Sequence, residues 1–200
     1  MKVSFHDIFK TNFRFEIFNL FYEVKCHNSQ LSIIQLLIFF EGVILMRAVL
    51  TRVKSASVTI DGKVNGKIGQ GFLILLGVGP EDTEKECRYL AEKCLALRVF
   101  EDENGKMNKG LEDVNGQVLV VSQFTLYGNC RKGRRPSFVG AAGPELGNAM
   151  YEKFLAICQE LGYPPQHGEF GADMQVEPVN DGPVTLILDT DQLLDTPRRS

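Results

Sequence analysis

Three short stretches of this sequence hold the residues that could do chemistry. The first is "NDGPVT", residues 180–185, set between two strand-like runs near the end of the chain. Proline cannot donate to a strand ladder, and glycine weakens a strand interior. Gly182-Pro183 is therefore either a plain turn or a backbone that must aim its carbonyls at something. The second is "SQFT", from Ser122 through Gln123 and Phe124 to Thr125, at the C-terminal end of an apolar run. Polar residues where a buried strand ends can line a site, and a strand-end hydroxyl can equally bond its own backbone. The third is "RKGRRPSF", residues 131–138. Its four cations, flanked by Gly133, Pro136 and Phe138, could contact phosphates and stack a base. They could also form a solvated loop.

Other chemistries find no support. His167 is the only histidine after residue 45, so no Ser-His-Asp set can be assembled there. Cys87 and Cys94 lie one heptad apart on a helical pattern, and with Cys158 they read as core. Cys130 stands beside Arg131 and Lys132, which could lower its pKa. The five cysteines form no CxxC and no Cys/His cluster, so no metal site and no cofactor is expected. Free thiols of odd number fit a reducing, cytoplasmic setting. Neither GxGxxG nor GxxxxGK[ST] occurs. A net charge of -3 means that any nucleic-acid contact must use a local basic patch.

The elements that would position these stretches can be read from periodicity. Alternation begins at Arg47 and runs through "RAVLTRV" and "ASVTIDGKVNGKIG", with Asp61-Gly62 as a hairpin turn. "GFLILLGVG" is a short buried strand. Thr83 with Glu86 is a capping box opening a helix to about Leu97. "QVLVVSQF" is a second buried strand. Pro144 starts another helix, with Met150, Phe154, Ile157 and Leu161 on one face and Gly162 at its end. "FGADMQVEPV" and "VTLILD" complete six or seven strands. The expected fold is α+β, with antiparallel-rich sheets of sandwich or barrel type and two helices packed on one side.

The first 45 residues have another composition. They hold eight of the fourteen phenylalanines and one glycine, and their charges cancel. "LSIIQLLIFFEGVIL" falls short of the ~20 apolar residues of a spanning helix. It lies too far in for an ordinary signal peptide. The pattern change predicts an appendage at 1–45, an over-long start assignment with Met46 as the natural start. A domain over 46–188 and a polar tail over 189–200 follow from the same pattern. No membrane contact is expected.

Taken together, the motifs resemble those of the D-aminoacyl-tRNA deacylases. "SQFTL" and "NDGPVT" match that family's two signatures, and "MRAVLTRVKSASV" is similar to its N-terminus. "GKMN", "RPSF" and "FGADMQV" follow in the family's order, over about 140 residues. The resemblance implies a homodimer that hydrolyses the ester between a D-amino acid, or mischarged glycine, and the 3′-terminal adenosine of tRNA. It implies a cis Gly182-Pro183 peptide that reaches into the partner's pocket. There its carbonyls would hold the substrate ammonium, so that an L side chain clashes. Arg52 would hold this loop, with Asn180 and Met174 completing the filter. Ser122 to Thr125 would bind the adenosine and stabilise the oxyanion with N–H groups around Gln123 and Phe124. The ribose 2′-OH would assist in place of a side-chain nucleophile. Lys132, Arg134, Arg135 and Phe138 are the candidate RNA contacts, and DNA is not an expected partner.

Two rivals stay open at this point: a non-enzymatic RNA-binding module, and a hydrolase of another tRNA ester with Thr125 as nucleophile. For either RNA reading, replacing Lys132, Arg134 and Arg135 by alanine should weaken every tRNA alike. The log-log salt slope of binding should flatten by about one unit per lost phosphate contact. An unchanged slope in a filter-binding titration would show a merely solvated loop.

Overall fold

A computed structural model describes residues 46–190. The readings made for residues 1–45 and for the tail beyond 190 lie outside the described residues. Chain order is β1 (Arg47–Ile60), β2 (Lys63–Ile68), β3 (Gly71–Gly77), α1 (Glu84–Leu95), β4 (Phe100–Glu101), β5 (Met107–Lys109), β6 (Gln117–Ser122), α2 (Pro144–Glu160), β7 (Gln166–His167) and β8 (Gln175–Asp189). Two single-turn 3-10 helices, Glu112–Val114 and Phe124–Tyr127, lie on either side of β6. The α+β class is as the pattern predicts. Among the described residues there are eight strands: the two runs before Asp61-Gly62 join as β1, the two runs around Gly182-Pro183 join as β8, and β4, β5 and β7, two or three residues long, are too short to carry a periodicity.

Strand β1 is the backbone of the sheet. β8 pairs antiparallel with it on one edge from Asp189 to Gln175, with the ladder interrupted between Thr185 and Asn180. On the other edge β3 pairs with residues 47–53 and β2 with residues 56–60, both antiparallel. Parallel pairings of β3 with β6 and of β6 with β7 extend the sheet. The β1–β2 turn takes positive φ at Asp61 (49°) and Gly62 (74°), as an Asp-Gly hairpin requires. The sheet then curls until β2 meets β7. Asn65 Nδ2 donates to His167 O at 2.8 Å. A β-carbon at Gly66 would stand only 3.0 Å from that same oxygen, so the close approach depends on glycine. The result is a nearly closed, barrel-like sheet.

Alternation within the strands makes two cores. One face of the sheet sends Ala48, Leu50, Phe72, Ile74, Leu76, Val118 and Val120 against both helices. The helices answer with Leu90, Ala91 and Cys94 from α1 and Tyr151, Phe154 and Ile157 from α2. Tyr151 buries its hydroxyl there by donating to Val120 O at 3.0 Å. The other face packs Val53, Val58, Ile68, Leu73, Leu119 and Val121 inside the curl. The Thr83 capping box forms as expected: Thr83 N–H donates to Glu86 Oε2 at 3.1 Å, and Lys85 N–H donates to the Thr83 hydroxyl. The helix stops at Leu95 rather than Leu97, and Ala96 caps it. Pro144 opens α2, and Gly162 (φ 89°) follows its end.

One boundary needs correction. Asp189 and Thr190 belong to the fold rather than to the polar tail. Asp189 ends β8, and Thr190 donates its N–H and its hydroxyl to Met46 O, each at 3.0 Å. Two polar residues at a strand end look like tail, but here both are buried, Asp189 against Arg47 and Thr190 against Met46.

Phe154, wholly buried on α2, reports on the helix-side core. Phe154→Ala should cost about 3–5 kcal/mol. A urea titration should show a lower midpoint with an unchanged slope.

Candidate active site

The "NDGPVT" segment is neither a turn nor two strands. It is an excess within β8. Between the pairs Thr51–Thr185 and Ser55–Val179, β1 has three residues and β8 has five. The surplus is pushed out of the ladder as a bulge, where the missing N–H of Pro183 does no harm. The Gly182-Pro183 peptide is cis, and both residues are exposed on a strand that, among the described residues, pairs only with β1. Gly182 has φ 125°, and a β-carbon there would come within 2.9 Å of Arg52 Nη2.

Three side chains hold the bulge. Arg52 is 4% exposed. Its Nε donates to Asp181 O at 3.0 Å and lies 3.4 Å from Asp181 Oδ2, and its Nη1 donates to Val99 O. A buried guanidinium needs such partners, since leaving it unpaired is costly. Asn180 spans the excess: its Oδ1 accepts from Val184 N–H at 3.3 Å and its Nδ2 donates to Thr185 Oγ1 at 3.2 Å. Asp181 also faces Lys54, at 3.8 Å.

The "SQFT" segment lies where β6 ends. Gln123 N–H still belongs to the sheet, donating to Leu76 O at 2.7 Å. That corrects one expectation: the Gln123 amide is not free to meet an oxyanion. The N–H groups of Phe124 and Thr125 open the 3-10 helix that follows, which supplies them no acceptor. Gln123 Nε2 donates to the Thr125 hydroxyl. Phe124 is 58% exposed and meets Phe138 edge-to-face, with ring centres 5.2 Å apart. A two-bond bridge between Asn129 and Ser137 folds the basic loop out and brings Phe138 back. Lys132, Arg134 and Arg135 all point into solvent from that loop.

The two motifs do not meet within one chain. Gly182-Pro183 lies opposite Arg52, which pairs with Phe72, which pairs with Val118. Reaching Ser122 from there means three strand spacings, about 14 Å, and four residues along β6, about 13 Å. Met174 sides with β6 instead. It packs in the core inside the curl, with its sulfur against Gly168, and Gly168 N–H donates to Val120 O.

Conventional nucleophiles are poorly served here. The His167 ring places Nδ1 2.7 Å from Gly168 O, and no base bonds the Thr125 hydroxyl among the described residues. Burial pushes the Cys87 and Cys158 thiols up to about 12 and raises Cys94 as well. No cluster of metal-ligating side chains occurs among the described residues.

The pattern reading missed Arg47. Its guanidinium pairs with Asp189 at 2.6 Å, donates to Leu126 O at 3.1 Å and lies 5.2 Å from the Tyr127 ring centre. It thus ties the 3-10 helix after β6 to the ends of β1 and β8. The available signal was opposite charge at the first residue of β1 and the last of β8, visible only once those strands are paired.

Comparison with known proteins decides the family. The family model described as D-Tyr-tRNA(Tyr) deacylase matches residues 49–189. The chain belongs to the D-Tyr-tRNA(Tyr) deacylase family. Membership makes it an ester hydrolase of the D-aminoacyl-tRNA deacylase class. A D-aminoacyl-tRNA deacylase of Desulfatibacillum aliphaticivorans is 61% identical over 145 residues, 72% of this chain and 99% of the relative. One from Thermosipho africanus (strain TCF52B) is 57% identical over 145 residues, 72% of this chain and 97% of the relative. Among solved structures, the "c-Myc DNA Unwinding Element Binding Protein" is 44% identical with a TM-score of 0.67, covering 71% of this chain and 97% of its own. A "probable eukaryotic D-amino acid tRNA deacylase" shares the fold at 18% identity, with a TM-score of 0.64 over 72% of this chain and 98% of its own.

The deacylase bulge depends on one cation reaching two carbonyls. Arg52→Lys cannot bond Val99 O and Asp181 O in the same way. Losing a charged hydrogen bond of about 1.5–3 kcal/mol should speed hydrogen exchange at Val184 N–H roughly ten- to hundredfold. Exchange at Val120 N–H, in the central sheet, should stay unchanged.

Proposed function

We propose that this deacylase removes D-amino acids, and glycine from the wrong tRNA, at a site completed by two copies of the chain. The observation that carries the reading is the placement of the two signatures. One is an exposed, rigidly held backbone bulge on a strand with a free edge. The other is a polar strand end on the far side of the sheet. A second copy can bring one copy's Gly182-Pro183 to the other's Ser122–Thr125. Met174, beside β6, then belongs to the receiving pocket.

In that pocket the carbonyls of Gly182 and Pro183 accept hydrogen bonds from the substrate ammonium and fix the α-carbon. An L side chain is driven into backbone, while a D side chain or a hydrogen is not. Arg52 and Asn180 supply the rigidity. The terminal adenosine lies against Phe124 and Phe138, whose exposed rings offer a stacking face. Lys132, Arg134 and Arg135 meet the RNA phosphates. The Phe124 and Thr125 N–H groups stabilise the developing oxyanion, a contribution of roughly 2.7–4 kcal/mol per donor. The ribose 2′-OH assists the attack. Thr125, held by Gln123 and lacking a base, is a poor nucleophile.

A second reading rests on the structural neighbour named for binding a DNA unwinding element, together with the exposed cations of residues 131–135. It assigns the loop to DNA. Competition between duplex DNA and uncharged tRNA for the protein separates the two.

The primary test is the turnover ratio of D-Tyr-tRNA to L-Tyr-tRNA. A large excess for the D form is expected, and a ratio near one sinks the filter. Sharing of the site is tested by mixing two inactive chains, one lacking Gly182-Pro183 and one carrying Phe124→Pro, which deletes an N–H donor. Half of the dimers are then mixed, and each has one intact site of two, so about a quarter of wild-type activity should return. No recovery after subunit exchange would place both motifs in one chain's own site.

A further inference from the structure

Asp82 is a buried carboxylate with no cation paired to it among the described residues. It lies in the loop between β3 and α1 and is 5% exposed. Its Oδ2 accepts from Gly79 N–H at 2.6 Å, and its Oδ1 has no hydrogen-bond partner. The charged side chains that face it are Glu86 of α1 and Asp189 of β8, both acidic. Asp189 is itself paired, its Oδ2 engaged by Arg47 at 2.6 Å. Burial pushes Asp82 up to about 6, although N–H groups of Gly79 and Met46 pull the other way, and Glu86 and Asp189 add to the rise. A buried oxygen left like this calls for a partner.

The Met46 nitrogen faces this carboxylate. Met46 is wholly buried, and its carbonyl takes both bonds from Thr190, so the residue is fixed in place. As part of a peptide, that nitrogen offers one neutral N–H. As a free α-ammonium it would offer three donors and a full positive charge. We propose that the Asp82 pocket is a receptor for a primary ammonium, and that its ligand is the α-amino group of Met46 in a form of the chain that starts there.

The two forms then respond to pH with opposite sign. With Met46 inside a longer chain, the Asp82 pKa is raised from 3.8 to about 6. That contribution to stability is fully present below 3.8 and is lost as pH rises through about 6. With a free ammonium, the pair depresses the Asp82 pKa and raises that of the amine. Stability is then gained as pH rises through the carboxylate range, and is lost only above the ordinary amine value of about 7.7–8.0.

The test compares the full chain with residues 46–200, each with and without Asp82→Asn. The shorter form is a fair subject, because relatives matched over 97–99% of their length consist of this domain alone. Melting temperature should rise from pH 4 to pH 7 in the short form, and Asp82→Asn should lower it by roughly 5 °C at pH 7. In the full chain the same substitution should leave the melting temperature unchanged or raise it. If either variant fails to fold, ¹⁵N NMR of the unsubstituted short form decides, since the Met46 α-amine should titrate above 8.0. Titration at the ordinary value, or equal effects of Asp82→Asn in both forms, would overturn the proposal.

Discussion

A cation inside the sheet organises this molecule. Arg52 lies on β1 where its neighbours on the same face are core residues, so its guanidinium must be satisfied by protein rather than by water. Its partners come from far apart in sequence: Val99, after α1, and Asp181, within β8. The charge therefore ties the helix layer to the outermost strand, and it does so at the point where β8 has surplus backbone. A neutral side chain of similar volume could fill the space, but it would leave the bulge to solvent.

Around that tie, the sheet separates what it positions. Among the described residues β8 owes its place to pairing with β1 alone, which leaves its other edge and the bulge open there. β6 lies deep in the sheet between β3 and β7, and its exit is shaped by the last ladder bond, from Gln123 N–H to Leu76 O. The chain turns there into a 3-10 helix whose Tyr127 hydroxyl donates to Gly77 O, and Arg47 clamps the same turn from β1. Both motifs are thus exposed backbone held by buried polar contacts. Such an arrangement suits positioning and electrostatic stabilisation better than side-chain nucleophilic attack.

Glycine is used sparingly for this. Gly182 combines a positive φ with contact against Arg52, so any side chain would both strain the backbone and displace the guanidinium. Gly66 lets β2 approach β7 closely enough to bring the curl almost to closure. One position protects the bulge, and the other protects the shape of the sheet that carries it.

What the sequence determined by itself was local. Asp61-Gly62 specified a hairpin, Thr83 with Glu86 a helix start, and Pro144 with Gly162 the two ends of α2. Each depends on backbone groups within a few residues, so pattern suffices. The ordered motifs also carried the family. Only the tertiary structure decided which face of β1 holds Arg52 and that β8 has two residues in excess. It alone showed that Gln123 N–H is taken by Leu76, that Arg47 meets Asp189, and that Gly182-Pro183 and Ser122 lie on distant strands of one sheet. These are matters of register between strands separated by up to 142 positions in the chain. Register is set by how whole strands pair and bury their faces, and no local window of residues contains that information.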